Sequence, residues 1–184
     1  MEVLVRKAKK GDEEAFIKLI DNYMLQMYKV AKSRMSNEEA IGDAIQETIM
    51  SAFKNIKQLK RPEYFNTWLI RILINNCNSI MKDKKIDYID DYSKYEKGDS
   101  ICVDSVEDKL DFDRVLNILS DEYKEIIVLY YVNGFLIKEI AEILDIKEGT
   151  VKSRLSRAKE KLRVFYIKEY VGKDVSHLWI LMIS

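Results

Sequence analysis

Residues Leu136–Arg163 read LIKEIAEILDIKEGTVKSRLSRAKEKLR, and the fold turns on this stretch. Two short helices joined by a tight turn account for it. In the first, Ile137, Ile140, Ala141 and Leu144 share one face at helical spacing. In the second, Val151, Leu155, Ala158, Leu162 and Phe165 recur at alternating steps of four and three. Gly149, Ser153, Ser156, Arg157 and Glu160 fall on the opposite face, with Lys152, Arg154, Lys159 and Lys161 on the flanks. From Lys147 to Arg163 seven Lys and Arg stand against two Glu, so the second helix is strongly cationic. A helix with one apolar stripe and a cationic, hydrogen-bonding outer face suits the major groove of DNA. The pair reads as a helix-turn-helix.

Working outward, the composition predicts an all-α protein. The chain has 184 residues, long enough for one domain or two small ones, and its 47% apolar content supports a core. One Pro and six Gly leave little material for many tight turns. The 34% of charged residues sum to zero, so affinity for nucleic acid must come from segregating charge along the chain. Cys77 and Cys102 stand far apart without metal-ligand spacing and read as unpaired thiols in a reducing cytosol. The sole His177 has no partner group beside it. Met1 to Gly11 is charged throughout, unlike a signal peptide, and no apolar run approaches the roughly 20 residues of a membrane-spanning helix. A cytoplasmic protein with no stable membrane insertion is expected.

The first half, residues 1–83, predicts a four-helix bundle. Val3, Leu4 and Val5 lead a basic cluster ending at Gly11. Asp12 then caps a helix whose stripe (Ala15, Phe16, Leu19, Ile20, Tyr23, Met27, Val30, Ala31) runs to about Arg34. Ser36 with Glu39 forms a capping box for a third helix, with Ala40, Ile41, Ala44, Ile45, Thr48, Ile49, Ala52, Phe53 and Ile56 facing inward. Pro62 opens a fourth, from about Glu63 to Lys82, with Phe65, Trp68, Leu69, Ile72, Leu73 and Ile80 as core. Two features exceed what packing needs. Asp43, Gln46 and Glu47 cluster on an exposed face, which is also how a merely solvated face would read. Asn75, Asn76 and Asn78 crowd the fourth helix although Asn is a mediocre helix former, so side-chain amides are wanted there. With Arg71, and Lys57, Gln58, Lys60 and Arg61 in the preceding loop, they would suit unstacked bases and a phosphate backbone. On packing grounds Phe65 and Trp68 belong to the core, and Asn75 to function.

Periodicity fails between Lys84 and Asp111, where nine acidic residues outnumber five basic ones. Residues 84–104 read as a flexible acidic linker of about twenty residues, long for a loop within one compact domain. A second domain, 105–170, then holds the helix-turn-helix. Ser105 and Asp108 cap a helix bearing Val106, Leu110, Val115, Leu116 and Leu119. Ser120 caps the next, closed by Gly134, whose Tyr123, Ile126, Ile127 and Tyr130 can cover the apolar side of the helix-turn-helix. The tail 171–184 ends in SHLWILMIS, which can pack back on the domain, stay unstructured or dock on a partner.

Taken together the two halves resemble an extracytoplasmic-function (ECF, group 4) sigma factor of bacterial RNA polymerase. The resemblance is carried by AFIKLI (Ala15–Ile20), DAIQET (Asp43–Thr48), FNTWLIRILIN (Phe65–Asn75), KEIIVLYYVNG (Lys124–Gly134), KEIAEIL (Lys138–Leu144) and EGTVKSRLSRAKEKLR (Glu148–Arg163). It implies two small helical bundles, a region 2 domain and a region 4 domain, joined by a linker. It also implies promoter-specific transcription initiation with core RNA polymerase. Asp43, Gln46 and Glu47 match the surface that docks on the core enzyme. Lys60, Arg61, Phe65, Asn66, Arg71 and Asn75 match the part that captures a flipped non-template base of the −10 element. Thr150, Lys152, Ser153, Arg154, Ser156, Arg157, Lys159 and Lys161 match the −35 reader. There an Arg pairs bidentately with guanine, while Lys152, Arg154 and Lys159 suit phosphates. The resemblance further implies an anti-sigma factor, which could hold the protein at the membrane, and a part in stress responses. Two residues depart from the pattern. Asp145 stands at the turn, where glycine is common and Asp is tolerated at modest cost. Ser156 is small for a direct base contact.

The alternative is a stand-alone helix-turn-helix regulator with a helical partner-binding domain; tight operator binding by the free chain would distinguish it. No Gly-rich phosphate loop, His-based site or metal cluster points to an enzyme, a cofactor or a small-molecule substrate.

Overall fold

The computed structural model describes residues 1–87 and 117–170, and every secondary-structure element among them is helical. These residues fall into two compact units, the first holding 1–87 and the second most of 117–170.

The first unit is built from α1 (Glu2–Lys9), α2 (Glu13–Asp21), α3 (Met24–Lys32), α4 (Glu38–Asn55) and α5 (Phe65–Asp87). Asp12 starts α2 as expected, its Oδ1 accepting the Ala15 N–H at 2.9 Å. The single helix expected up to about Arg34 is two. The Asn22 amide donates to the Lys18 carbonyl at 2.6 Å and the Tyr23 N–H turns back to Ile20 at 2.8 Å. These bonds satisfy the orphan carbonyls of α2 and let the chain restart at Met24. The cap of α4 is Asn37, whose Oδ1 accepts the Ala40 N–H at 2.8 Å, and not Ser36. Pro62 opens a 3₁₀ turn, Pro62–Tyr64, which leads into α5. That helix continues to Asp87, four residues beyond the expected edge of the first domain at 83.

α4 and α5 make the most extensive interhelical contact, over a core of Leu19, Met27, Ile41, Phe65, Leu69, Ile70 and Leu73. Burying side chains of this size contributes about 1.5–3 kcal/mol each before entropy is counted. Two buried or half-buried polar links fix the helices. The Asn76 Nδ2 donates to Thr48 Oγ1 at 3.0 Å, and that hydroxyl donates to the Ala44 carbonyl at 2.6 Å. Arg34 Nη2 donates to Asn78 Oδ1 at 2.5 Å. Ile49 is half-buried and Phe53, expected in the core, is 51% exposed, touching the Phe16 ring edge-on at 5.1 Å.

In the second unit Ser120 precedes α6 (Asp121–Ile127), which passes into a π-helical turn, Val128–Val132. Gly134 ends this segment at φ +69°, the left-handed conformation a C-terminal cap requires. Then follow α7 (Ile137–Leu144) and α8 (Glu148–Tyr170). Asp145 takes φ +53°, as the turn demands, and the Ile146 N–H closes on the Ala141 carbonyl at 3.1 Å. Leu136 cannot cap α7 with its side chain. Glu139 compensates, its Oε2 accepting the Leu136 N–H at 2.8 Å. Val151, Leu155, Ala158 and Leu162 of α8 are buried, as are Ile126, Ile127, Leu129 and Ile140. The expected linker beyond Asp87, the helix expected after Ser105, Cys102 and the tail 171–184 lie outside the described residues.

Candidate nucleic-acid and polymerase interfaces

The eight candidate residues on α8 do not act as one set. Ser153, Ser156 and Arg157 are exposed on the side opposite the buried stripe, and Lys152 is exposed on its flank. Among the described residues no hydrogen bond or ion pair engages Lys152, Ser156 or Arg157; Ser153 Oγ donates to the Thr150 carbonyl at 3.0 Å. Gly149 lies on this face, where a Cβ built on it would meet nothing within 4 Å, so the position is open. Arg154 points elsewhere, pairing its Nη2 with Glu122 Oε2 on α6 at 3.0 Å. The Lys159 ammonium sits 5.4 Å from the Tyr131 ring centre and 5.9 Å from that of Tyr130, and Lys161 lies 5.0 Å from Tyr123. These three cations thus tie α8 to the preceding segment.

The candidate single-strand site divides in a similar way. Asn75 and Arg71 are exposed one turn apart on α5, and half-buried Trp68 completes that face at i, i+3 and i+7. Asn76 and Asn78 are the interhelical donors and acceptors described above, so of the three amides only Asn75 is free to meet a ligand. Phe65 is 1% exposed and packs on the Tyr23 and Trp68 rings at 5.5 and 5.8 Å. Its place is the core, and it leaves the contact set. Asn66 sits roughly 180° around α5 from Asn75, nine residues at about 100° each. Its Oδ1 is buried without a hydrogen-bond partner, so it does not share the Asn75 face.

Lys60 and Arg61 are exposed in the loop ahead of α5. Arg61 pairs with Glu63 at 2.7 Å and lies 4.8 Å over the Tyr64 ring, leaving Tyr64 as an exposed aromatic surface. The Glu63 carboxyl is held below the usual carboxylate range by its own backbone N–H and then by Arg61, whose guanidinium is raised in turn. Tyr64 directly precedes Phe65, and only its 43% exposure separates it from the buried ring that follows.

On α4, Asp43, Gln46 and Glu47 are exposed, and among the described residues no hydrogen bond or ion pair occupies their side chains. Met50 and Phe53 extend the same face at helical spacing, 44% and 51% exposed. The face is therefore acidic at one end and apolar at the other. The sequence hides this, because Phe53 also fits the inward stripe.

Comparison with known proteins places both units. A Sigma-70 region 2 family model matches residues 19–85, and a Sigma-70 region 4 model matches residues 109–162. The ECF RNA polymerase sigma factor SigW of Bacillus subtilis is 31% identical over 182 residues, covering 89% of this chain and 97% of that protein. The chain belongs to the ECF sigma factors of RNA polymerase. The ECF sigma-E factor of Haemophilus influenzae is 28% identical over 176 residues, spanning 88% of this sigma factor and 92% of its relative. Among solved structures, sigma factor RpoE of Bartonella quintana, in complex with the anti-sigma factor NepR, superposes with a TM-score of 0.69 at 26% identity. That match covers 83% of this chain and 99% of the other. The region 2 match encloses every α4 and α5 candidate, and the region 4 match every α8 candidate. Helix α1 of this sigma factor lies outside both.

Proposed function

We propose that this ECF sigma factor docks on core RNA polymerase through the α4 face of Asp43, Gln46 and Glu47. In the same reading it holds the −10 non-template strand with Lys60, Arg61, Arg71 and Asn75, and reads the −35 element with Lys152, Ser153, Ser156 and Arg157. Region 2 then comprises the residues up to Asp87, and region 4 spans 105–170. The carboxylates of α4 suit a basic partner surface. The α5 face offers a cation, an amide and the edge of Trp68 to an extruded base, which must offset an unstacking cost of a few kcal/mol. The outward side of α8 carries the reading: four exposed small or cationic side chains, clear of a buried stripe, on the second helix of a helix-turn-helix.

The protein works without catalysing a reaction of its own, in the cytoplasm beside the polymerase. No helix among the described residues is long and apolar enough to cross a membrane. An anti-sigma factor is its regulator, as for the Bartonella relative solved with one. The test is reconstitution. The free chain should bind duplex promoter DNA poorly, and with core enzyme it should start transcripts that depend on both −10 and −35 sequences. Tight, specific operator binding by the chain alone would instead support the stand-alone regulator.

A further inference from the structure

The loop that carries Lys60 and Arg61 has few bonds of its own. Leu59 and Arg61 are both extended, at φ −61°, ψ 113° and φ −125°, ψ 117°, and Arg61 is held so by the proline that follows it. The Leu59 N–H closes the 3₁₀ turn Ile56–Gln58, and the Leu59 side chain is buried. Further along, the Tyr64 N–H donates to the Arg61 carbonyl at 3.1 Å and Arg61 pairs with Glu63, while from outside the loop is held by α1. Helix α1 rests on the rest of the unit through Val5 and Ala8 and approaches both 3₁₀ turns that flank the loop. From it the half-buried Lys9 reaches fifty residues along the chain, and its Nζ donates to the Leu59 carbonyl. Among the described residues no carboxylate pairs with this ammonium, so its charge is directed at a backbone oxygen. Arg6, on the same helix, contributes to the lowering of the Glu63 carboxyl at the far end of the loop.

We propose that Lys9 is a positioning residue of the −10 reader: its bond to the Leu59 carbonyl sets the path of the loop presenting Lys60 and Arg61. The inference rests on the −10 assignment of that loop. It adds a residue of α1, a helix that the region 2 family model does not reach. A charge-assisted bond to a half-buried carbonyl holds a loop far more firmly than a neutral surface contact, and its loss leaves that carbonyl without its donor.

The experiment compares the wild-type chain with Lys9→Met and Lys9→Arg, as free protein and as holoenzyme with core polymerase. In the free protein, Lys9→Met should raise amide hydrogen exchange at residues 57–64 by about tenfold. The amides of α4 should be unchanged, and Lys9→Arg should restore protection. In the holoenzyme, Lys9→Met should cut −10 strand opening by a similar factor, read by 2-aminopurine fluorescence, while core association and −35 discrimination hold. Lys9→Arg should recover opening. Unchanged exchange in Lys9→Met would overturn the brace, as would an arginine variant that keeps its thermal stability without restoring protection. If the wild-type holoenzyme opens no promoter, the −10 assignment fails, and the exchange comparison still decides whether Lys9 holds the loop. Exchange that changes with no change in opening would reduce Lys9 to a structural residue.

Discussion

Arg154 and Arg157 lie three residues apart on one basic helix, and the structure gives them different work. Arg157 is exposed and makes no bond among the described residues, so Arg157→Ala should leave folding intact and remove only what the side chain does on DNA. A bidentate pair with guanine is worth roughly 1–3 kcal/mol, so discrimination at one −35 position should fall about 5- to 150-fold. Arg154 is 26% exposed and sits 3.0 Å from Glu122, which is itself 63% exposed. Solvent around Glu122 limits that pair to the top of the surface range, about 1 kcal/mol, and a unit of this size should melt some 4–8 °C lower without it. The assay is a set of promoters substituted singly through the −35 element, transcribed by each holoenzyme, with thermal melts of the free proteins. Arg157→Ala should flatten the preference at one position at constant melting temperature. Arg154→Ala should lower the melting temperature and lower output evenly across the set. If Arg154→Ala flattens the −35 preference while Arg157→Ala reduces all promoters equally, the sorting of α8 into a reading face and a packing face is refuted.

Three further outcomes are expected. Asp43→Ala combined with Gln46→Ala should weaken co-purification with core polymerase about tenfold at unchanged melting temperature, since neither side chain has a partner among the described residues; undiminished association would remove α4 as the docking face. Asn76→Ala should cost about 1 kcal/mol in a denaturant melt, because Thr48 loses its donor, whereas Asn75→Ala should stay within about 0.5 kcal/mol and lower −10 opening instead. Burial pushes the Cys77 thiol from 9.0 up to about 11, so between those values the unfolded chain ionises while the folded one stays protonated. Stability should therefore fall as pH rises through that window, by about 2–3 kcal/mol at its upper end. Cys77→Ala should lack that part of the alkaline decline, and parallel curves for the two proteins would contradict it.

Where one physical rule governs a residue, the sequence was legible. Asp12, Gly134 and Asp145 stand where caps and a left-handed turn need them, and the α8 stripe is buried at four of its five positions. It was not legible where two residues satisfied one rule. Ser36 and Asn37 are both good caps with an acidic residue following, and only the phase of α4 chooses Asn37. The apolar stripe runs in phase across Asn22 and Tyr23, so periodicity could not show that a side-chain amide ends α2 there. Phe53 fits both the inward stripe and the face beside Met50, and in the fold it lies 51% exposed with its ring edge-on to buried Phe16. The crowded asparagines could be counted but not sorted. Asn76 and Asn78 bond to Thr48 and Arg34, residues 28 and 44 positions away, which no local pattern encodes.

The same sorting bears on how much DNA affinity the free protein can have. The net charge of the whole chain is zero, and the basic character of α8 looks at first like the compensation. Yet Arg154 is paired with Glu122, Arg163 with Glu160 at 3.1 Å, and Lys159 and Lys161 lie over tyrosine rings. Of the seven cations from Lys147 to Arg163, Lys147, Lys152 and Arg157 are those left without a partner among the described residues, and Glu160 shares the outward side with Arg157. Three phosphate-scale contacts give a salt slope of about −3, well short of a regulator that grips its operator alone. A region 4 with so little free charge gains useful specificity only when a second reader is bound at the same time. Two tethered modules convert a weak second contact into an intramolecular one. If α4 is the docking face proposed above, its acidic, partly apolar surface has a clear place in the energetics: fixing region 2 on the polymerase would raise the effective concentration of both DNA-reading faces at one promoter.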